Sequence, residues 1–442
     1  MIIRPAKRIR GQISVPGDKS ISHRAAMLAA IAAGTSHLRN YSTSADCAAT
    51  LSCLDQLGVR IERNDHEVIV HGVGLNGLRA PDSDLDCGNS GTTMRLLSGI
   101  LAGQNFVSTL TGDDSLRSRP MQRIIEPLEM MGAKISSLNG RAPLQIDARR
   151  ALQAIDYELL TASAQVKSCI LLAGLHAAGK TTVVENEITR DHTERMLQWF
   201  GADIEVGQPE REPENARFAA VTGPAQLAAR SISIPGDLSS AAYFIAAAAL
   251  LRDSSLEIDA VGLNPTRTAF LDVFAAMDFI ELHNVREDAN EPAGIIQISG
   301  VAAEPLMREL DSRLVIDGAD IAQLIDELPL LAVVGSQFAY GIEIRDAKEL
   351  RVKESDRIAA TVAGLRAMGC EVEEYDDGLR VEGPAKLHGA RIESRGDHRI
   401  AMSFAIAGLL AEGETQIIGA DCVAVSFPEF FDLLESVSEP RP

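Results

Sequence analysis

The stretch GDKSISHRAAMLAA, residues 17–30, carries the pattern that decides the fold: a Gly-Asp lead with charged and hydroxyl residues, then a run of small apolar residues typical of a helix. Residues 236–249, GDLSSAAYFIAAAA, repeat this pattern. Four more segments share its form, so that leads recur at intervals of 71 to 89 residues. These other leads begin at Gly88, Ala162, Ile325 and Gly396. Such self-similarity indicates an architecture of repeated supersecondary units.

Most of the repeats continue with a second helix, a glycine and a β-hairpin. This order recurs at residues 46–72, 119–146 and 355–383. Gly58, Gly132 and Gly369 stand where a helix needs a left-handed stop before the next strand. Small, apolar residues on most sides of the first helices predict that these helices are buried, with the sheets outside them.

The six repeats predict two similar domains, each of which contains three repeats. The leads Pro16-Gly17-Asp18 and Pro235-Gly236-Asp237 are nearly identical and predict where the chain crosses between the domains. One domain then contains residues 18–235, and the other contains residues 1–17 plus 236–442. The alternative is an ordinary β–α alternation without deep internal symmetry.

Charge and composition exclude several classes of protein. Acidic residues outnumber basic ones by 62 to 42, the net charge is −20 and the pI is about 4.9. The negative electrostatic field of such a chain disfavours binding to nucleic acid or to an anionic membrane surface. No apolar run reaches the roughly 20 residues of a membrane span. Six scattered cysteines without metal-ligand spacing predict reduced thiols, no metal site and a cytoplasmic location.

Two nucleotide-binding patterns occur, and both lack the structural context that they require. Residues 174–181 match the phosphate-loop pattern, but a helical pattern precedes them and a β-branched segment follows, which is the reverse of the required order. We interpret this segment as the turn after a helix, with Gly179 as the stop. Residues 72–77 match the dinucleotide-binding pattern, but no helix follows, and a turn is predicted.

Basic residues recur in or near the leads, which contain glycine and hydroxyl residues. They are Lys19, Arg24, Arg119, Arg190, Lys353, Arg357 and Arg399. Helix N-termini and forked guanidinium groups both favour carboxylate and phosphate ligands. The pattern therefore predicts one or two small, multiply charged anions in a cleft between the domains, although any one of these cations alone is typical of a solvated surface.

The quoted leads resemble the enolpyruvyl transferase family. The matching segments are GDKSISHR (17–24), DCGNSGTTMRLL (86–97), LRSRPM (116–121), SAQVKS (163–168), TRDHTERML (189–197), IDELPLLA (325–332), LRVKESDR (350–357), GDHRIAMSF (396–404) and SFPEF (426–430). The resemblance implies an α/β fold of two similar domains, each built of three βαβαββ units with buried helices and outer sheets. It also implies an active site in the cleft between the domains.

The resemblance further implies a reaction. The enolpyruvyl group of phosphoenolpyruvate would be transferred to the 5-hydroxyl of shikimate 3-phosphate, and phosphate would leave a tetrahedral intermediate. This chemistry requires no metal and no cofactor. The implied partners are the two small-molecule substrates, without nucleic acid or membrane, and we expect a monomer.

Position in the matching motifs assigns the site residues. Phosphoenolpyruvate would contact Lys19, Asn89, Gly91, Arg119, Gln165, Arg357 and Arg399. Shikimate 3-phosphate would contact Lys19, Ser20, Arg24, Ser163, Gln165, Arg190, Asp326 and Lys353. The catalytic residues would be Asp326 as base at the 5-hydroxyl, and Glu354, assisted by Lys19, as proton carrier at the methylene carbon.

Simpler roles stay open for some of these residues. Asp326 would also suit a helix N-cap, and Glu354 an i,i+3 ion pair with Arg357. His398, beside Arg399, would contact the leaving phosphate or make a structural hydrogen bond.

The sequence departs from the family pattern at three places. Val425 stands where many relatives have a lysine, and Arg190 stands where another branch of the family has a tyrosine-bearing motif. Ser90, Thr92 and Thr93 give a variant of the asparagine-glycine loop. The response to the herbicide glyphosate is therefore left open.

Three alternatives to this function remain. One is the branch of the family that uses UDP-N-acetylglucosamine as acceptor, against which GDKSISHR and the absence of a cysteine in residues 110–121 argue. The others are a phosphate-loop nucleotide hydrolase and an anion-binding module without turnover.

Overall fold

The computed structural model describes residues 1–209, 216–275, 279–299 and 312–441. The chain forms two compact units. The central unit contains residues 17–234 and 287–291, and the terminal unit contains residues 1–16, 235–286 and 292–442. The sequence had predicted residues 287–291 in the other domain, with residues 1–17 and 236–442. They group with the central unit because the Asn290 carbonyl accepts a hydrogen bond from Arg195, and Glu291 pairs with His192 at 2.7 Å.

The helices follow the repeats. They are α1 Lys19–Ile31, α2 Ala45–Gln56, α3 Gly91–Ala102, α4 Asp114–Ser118, α5 Gln122–Met130, α6 Ala164–Gly174, α7 His192–Trp199, α8 Leu238–Leu250, α9 Ala269–Ala275, α10 Ala319–Leu324, α11 Leu328–Gly335, α12 Arg357–Ala367, α13 His398–Leu410 and α14 Phe430–Val437. Lys348–Val352 and Ala420–Val425 form 3-10 helices.

The strands of the central unit are β3 Ala33–Arg39, β4 Arg60–Asn64, β5 Glu67–Val73, β6 Leu85–Asp86, β7 Val107–Thr111, β8 Lys134–Leu138, β9 Arg141–Asp147, β10 Asp156–Glu158, β11 Gly179–Glu185, β12 Ile204–Gly207, β13 Arg217–Gly223 and β14 Ser231–Ser233. The remaining strands are β1 Ile2–Ile3, β2 Ala6–Ser14, β15 Ser255–Gly262, β16 Ile280–Asp288, β17 Glu291–Ser299, β18 Leu314–Ile316, β19 Ile342–Ile344, β20 Val372–Tyr375, β21 Gly378–Val381, β22 Arg391–Glu393, β23 Thr415–Ile418 and β24 Ser438–Pro440.

Each unit contains three sheets in its described residues. The central unit has the strand orders β14-β3-β5-β4, β6-β7-β9-β8 and β10-β11-β13-β12, and the terminal unit has β16-β17-β15-β2-β24, β18-β19-β21-β20 and β1-β23-β22. In every four-stranded sheet, an edge strand pairs in parallel with its neighbour, and two antiparallel strands follow. This is the order that a βαβαββ unit produces, and it confirms the predicted fold class.

The first helix of each repeat is buried, as its alanine-rich sequence predicts. Every residue of α8 is buried, and α1 is buried from Ile21 to Ile31. In the terminal unit, α8, α11 and α13 contact one another, and in the central unit α3 contacts α1 and α6. Each unit therefore has its own hydrophobic core, with helices inside the sheets.

Side chains of the leads begin these helices at defined positions. Asp18, Ser90, Ser163, Asp237 and Asp397 each accept a hydrogen bond from a backbone N–H of the first turn. Such N-caps satisfy donors that have no partner inside the helix. Helix α11 is different, because Glu327 occupies its cap position without a capping bond from its side chain.

Most of the predicted helix ends and turns are confirmed. Gly58, Gly132 and Gly369 have φ angles of 87°, 105° and 94°, which confirms the left-handed stops. The phosphate-loop match lies between α6 and β11, in the reversed order that the sequence indicated. Its predicted helix stop is wrong, however, because α6 ends at Gly174 and Gly179 begins a strand. Across the described ranges, no helix is long and apolar enough to cross a membrane.

Candidate active site

In the terminal unit, three carboxylates surround the guanidinium group of Arg357. Its Nε lies 2.9 Å from Asp397, its NH2 lies 2.6 Å from Glu354, and its NH1 lies 3.3 Å from Asp326. Arg357 is 1% exposed, whereas the side chains of Asp326 and Glu354 are each 19% exposed. The two predicted catalytic carboxylates therefore meet at one predicted anion-binding arginine and keep an accessible edge.

This arrangement tests the simpler, structural roles that the sequence left open for Asp326 and Glu354. The N-cap role of Asp326 is wrong, because Glu327 holds the cap position of α11. The predicted i,i+3 ion pair between Glu354 and Arg357 is confirmed. A role of Glu354 in proton transfer remains compatible with this pair, because the carboxylate is accessible.

Arg399 belongs to the same cluster. Its backbone N–H donates to Asp397 Oδ1 at 2.9 Å, and its guanidinium lies 3.7 Å from Glu327. Asp397 thus contacts Arg357 through both oxygens, more closely through Oδ2, and its Oδ1 also caps the helix that carries Arg399. The relative position of these two arginines is therefore fixed by one buried carboxylate.

Neighbouring side chains raise the pKa of both arginines. Burial alone would lower the pKa of Arg357, but Asp397, Glu354 and Asp326 outweigh it and raise this pKa above its usual value. Burial likewise acts against Arg399, whose pKa is nevertheless raised by Tyr243 and nearby carboxylates. Burial in turn raises the pKa of the Tyr243 hydroxyl to about 12, despite the opposing charge of Arg399.

A chain of hydrogen bonds between buried polar side chains ends at Glu327. Arg267 donates to the hydroxyl of Ser239 at 2.5 Å, and this hydroxyl donates to the carboxylate of Glu327. All three residues are buried. The sequence analysis missed them, although Ser239 lies in the second Gly-Asp lead and Glu327 directly follows Asp326.

Two further predicted residues of the terminal unit lie near this cluster in sequence. Lys353 follows a 3-10 helix and forms a long contact of 3.7 Å with Glu349, so its partly exposed ammonium group has only a loose partner there. His398 is the first residue of α13 and is 2% exposed. This position places it between Asp397 and Arg399 but does not by itself assign it a chemical role.

In the central unit, Arg119 and Asn89 form one local assembly. NH2 of Arg119 donates to Asn89 Oδ1 at 2.6 Å, and NH1 donates to the Asn89 carbonyl at 3.2 Å. Asn89 in turn donates to Asp113 at 2.7 Å. Arg119 follows the end of α4 instead of opening a helix, and in this it differs from the cations of the Gly-Asp leads with which the sequence grouped it. The contact with Asn89 nevertheless joins two residues assigned to phosphoenolpyruvate.

Gly91 and Gln165 lie around a neighbouring guanidinium group. A Cβ atom on Gly91 would lie 2.7 Å from NH1 of Arg95 and 3.4 Å from NH1 of Arg119, so a side chain here would displace cationic groups. Arg95 donates to Gln165 at 2.6 Å, and Gln165 donates to Thr92 at 3.0 Å. Arg95, which contacts Gln165 and lies beside Gly91, was not predicted, although it lies inside a quoted motif.

Arg24 is almost completely buried between three elements. It donates to Thr193 on α7 at 2.7 Å, to Ser168 on α6 at 2.9 Å and to the carbonyl of Ser20 at 2.9 Å. Burial lowers the pKa of Arg24 to about 10, Glu194 opposes this effect, and Arg190 adds to it. Arg24 therefore keeps its charge at neutral pH, and the electrostatic influence of Arg190 indicates that this second predicted cation is nearby.

Other groups around α1 and α6 complete this part of the unit. Lys19 pairs with Asp46 at 2.9 Å, and Ser163 caps α6 through a 3.4 Å contact with the Val166 amide. Lys167, only 1% exposed, lies 2.8 Å from Glu185 and 2.7 Å from Glu194. This buried ammonium joins α6 to α7, and neither it nor Asp46 was predicted.

The structure thus brings the predicted residues together in sets within each unit. The terminal unit gathers Asp326, Glu354, Arg357 and Arg399, and the central unit gathers Asn89, Gly91, Gln165 and Arg119 around α3 and Arg24 with Ser20 on α1. Within the described residues, no group of His, Cys, Asp and Glu has the arrangement of a metal site. Both sets combine arginines with partly accessible polar groups, which suits anionic ligands.

Comparison with known proteins agrees with this chemistry. A family model described as EPSP synthase (3-phosphoshikimate 1-carboxyvinyltransferase) matches residues 3–434. Proteins called 3-phosphoshikimate 1-carboxyvinyltransferase are 54% identical in Koribacter versatilis and 48% identical in Solibacter usitatus, and each alignment covers 99% of both chains.

Solved structures give the same assignment. EPSP synthase from Acinetobacter baumannii is 42% identical, with a TM-score of 0.84 over 99% of this chain and 98% of that one. The enolpyruvyl transferase NikO from Streptomyces tendae has a TM-score of 0.75 over 99% of this chain and 96% of that one, and at 19% identity this likeness supports the fold alone. This chain therefore belongs to the EPSP synthase family.

Proposed function

We propose that this chain transfers the enolpyruvyl group of phosphoenolpyruvate to the 5-hydroxyl of shikimate 3-phosphate and releases inorganic phosphate. The observation that carries this proposal is the contact of Arg357 with both Asp326 and Glu354. It combines a cation for an anionic substrate with two accessible carboxylates that can move protons. The names of the close relatives support the same reaction.

The two substrates would use overlapping sets of groups, which come from both units and share Lys19 and Gln165. Phosphoenolpyruvate would contact Lys19, Asn89, Gly91, Arg119, Gln165, Arg357 and Arg399. Shikimate 3-phosphate would contact Lys19, Ser20, Arg24, Ser163, Gln165, Arg190, Asp326 and Lys353. Guanidinium groups suit both substrates, because they bind carboxylates and phosphates through paired hydrogen bonds.

Bond formation would begin when the C3 methylene of phosphoenolpyruvate takes a proton from the carboxyl group of Glu354, which leaves Glu354 as a carboxylate, and positive charge develops at C2. The 5-hydroxyl oxygen attacks C2 while Asp326 accepts its proton, which gives a tetrahedral intermediate. Loss of the C3 proton to Glu354, together with departure of phosphate, restores the double bond as an enol ether. Arginine charge would stabilise the anionic groups throughout, and Lys19 would assist the proton transfer.

The pair between Glu354 and Arg357 suggests how the proton carrier is made available. Glu354 uses the NH2 group of Arg357, which is a donor that an incoming carboxylate or phosphate also requires. A substrate anion bound to Arg357 would displace Glu354 from this donor. The released carboxyl group would then exchange a proton with the substrate more readily than a carboxylate held by a guanidinium group.

The decisive experiment supplies both substrates and measures released inorganic phosphate, with each substrate omitted in turn. We expect phosphate only when both are present, together with the enol ether product in equal amount. Replacement of shikimate 3-phosphate by UDP-N-acetylglucosamine should give none. Phosphate release from ATP and magnesium that Lys180→Ala abolishes would instead support a nucleotide hydrolase. Tight binding of both substrates without product would support a binding module.

The monomeric state and the cytoplasmic location are predictions of their own. Sedimentation of the purified protein would test the first, and fractionation of cells that express it would test the second. Neither outcome alters the proposed chemistry.

A further inference from the structure

Four buried side chains of the central unit form a continuous chain of hydrogen bonds between α1 and the start of α3. Nδ1 of His23 lies 2.6 Å from Oγ1 of Thr50, which lies 2.7 Å from Oγ1 of Thr93. Oγ1 of Thr93 donates to Oγ of Ser90 at 2.7 Å. All four residues are fully excluded from solvent. None of the residues in this chain was assigned to a substrate.

The direction of each bond follows from counting hydrogens. A threonine hydroxyl carries one hydrogen, and Thr93 uses its hydrogen for Ser90. The oxygen of Thr93 must therefore accept the hydrogen of Thr50. Because Thr50 uses its only hydroxyl hydrogen for Thr93, its Oγ1 can only accept a hydrogen bond from His23. Nδ1 of His23 therefore has to be the protonated ring nitrogen that donates to Oγ1 of Thr50. The chain thus selects one tautomer of His23.

The surroundings of the ring also favour its neutral form. Burial, followed by the charges of Lys19 and Arg24, lowers the pKa of His23 well below its usual value, and Asp18 acts weakly in the opposite direction. Among the residues that the structure describes, Nε2 of His23 has no hydrogen-bond partner. A proton on that buried nitrogen would have no acceptor, which agrees with the tautomer that the hydroxyl chain requires.

Ser90 connects this chain to the proposed substrate site. Its Oγ accepts the backbone N–H of Thr93 at 3.0 Å and so caps α3. Ser90 stands between Asn89 and Gly91, whose positions we assign to phosphoenolpyruvate. Its rotamer therefore influences the backbone from which both neighbours project, and Asn89 in turn holds Arg119.

We propose that His23, Thr50 and Thr93 are positioning residues for the phosphoenolpyruvate-binding loop, with His23 acting as the neutral, Nδ1-protonated donor that orients Ser90. This inference rests on the proposed function, because it requires that Asn89 and Gly91 bind phosphoenolpyruvate. It predicts an effect on one substrate more than on the other. A general loss of packing would affect both.

The first test removes one hydroxyl without changing the shape of the side chain. Thr50→Val should raise KM for phosphoenolpyruvate about tenfold, the effect of roughly one net buried hydrogen bond. KM for shikimate 3-phosphate should change by less than about twofold, since Arg24 and its partners are untouched. Equal increases in both KM values, or no change in either, would overturn the proposal.

Thr181→Val is the matched control for this substitution. Thr181 is also fully buried in the central unit, and its Oγ1 makes no hydrogen bond to any described residue. The control should leave both KM values unchanged. If it changes them as Thr50→Val does, the effect is one of buried threonines in general and the proposal is wrong.

The second test concerns the histidine directly. His23→Asn offers an amide nitrogen at the place of Nδ1 and should keep KM for phosphoenolpyruvate within a few-fold of the unaltered protein, whereas His23→Leu should not. Nitrogen-15 NMR of the protein labelled at histidine should give a protonated Nδ1 and an unprotonated Nε2 for His23. A charged ring or the opposite tautomer would refute the proposed orientation, even if every variant failed to fold.

A third variant separates this inference from the proposed function. Asn89→Ala removes a proposed phosphoenolpyruvate contact outright. If it leaves KM for phosphoenolpyruvate unchanged, the assignment of the loop to this substrate fails. If Asn89→Ala raises this KM but Thr50→Val does not, only the positioning role of the hydroxyl chain is disproved.

Discussion

Arg357 and Asp397 form an ion pair from which solvent is excluded: Nε lies 2.9 Å from Oδ2, and the two side chains are 2% and 0% exposed. The other oxygen of Asp397 accepts from the backbone N–H of Arg399. A single carboxylate therefore organises two arginines that we assign to phosphoenolpyruvate.

Asp397→Asn should lower the free energy of unfolding by about 3 kcal/mol, because it removes the negative charge from a fully buried pair. It should also raise KM for phosphoenolpyruvate. Asp356→Asn is the control, because Asp356 also caps a helix but is partly exposed, and it should cost less than about 1 kcal/mol. Urea unfolding checks both values, and similar losses in the two variants would contradict the role given to burial.

Glu354→Gln should reduce kcat by a factor of about 10² to 10⁴, since it removes the proposed proton carrier at the methylene carbon. Both substrates should still bind, because the arginines remain. Single-turnover kinetics and calorimetric titration measure the two properties separately. Glu373→Gln alters an exposed glutamate of the same unit and should change neither. Near-normal turnover of Glu354→Gln would remove this residue from the mechanism.

Arg24→Ala should weaken binding of shikimate 3-phosphate by about 10- to 100-fold, which is the usual effect of losing hydrogen bonds to a charged group. Binding of phosphoenolpyruvate should change by less than about threefold. Arg230→Ala, which removes an exposed arginine of the same unit, should affect neither substrate. Calorimetric titration with each substrate tests the partition, and it is wrong if Arg24→Ala weakens both equally.

Acid should destabilise the protein partly through His176. Burial lowers the pKa of His176 to about 4, whereas an unfolded chain titrates near 6.5. Between these values, the unfolded chain binds a proton that the folded protein excludes, so the free energy of unfolding falls as the pH falls, by up to about 3 kcal/mol. His176→Leu should flatten this dependence. Urea titrations at several pH values would reveal it.

The control for this substitution is His66→Leu, because His66 is exposed. It should leave the dependence on pH as it is in the unaltered protein. If His66→Leu and His176→Leu had the same effect between about pH 4 and 6.5, the acid sensitivity could not be attributed to the burial of His176.

Much of the fold could be predicted because its signals are local. Helix α8 is alanine-rich along its whole length, and Asp237 directly precedes it, so both burial and N-terminus follow from adjacent residues. Gly132 could be placed for the same reason. The helix stop predicted at Gly179 was wrong because only a short turn separates α6 from β11. A glycine with positive φ can stand at either end of such a turn, so the residue type did not show which element it belongs to.

The site residues were predicted less completely than the helices that carry them. Basic residues such as Arg357 and Lys19 stand out in an acidic chain, but their partners do not. Asp397 lies 40 residues from Arg357, and Asp46 lies 27 residues from Lys19. Asp397 belongs to a Gly-Asp lead, but among 62 acidic residues no local pattern identifies Asp397 and Asp46 as the partners of these two cations.

The sequence by itself determined the repeated units, the buried helices, the leads that precede them and the list of cations suited to anionic ligands. Only the tertiary structure decided which acid compensates which arginine, which serine or threonine joins two helices, and which hydroxyl group faces His23. The physical reason is that caps and periodicity depend on neighbours along the chain. Ion pairs and hydroxyl chains depend instead on distances of a few ångströms between segments that folding alone brings together.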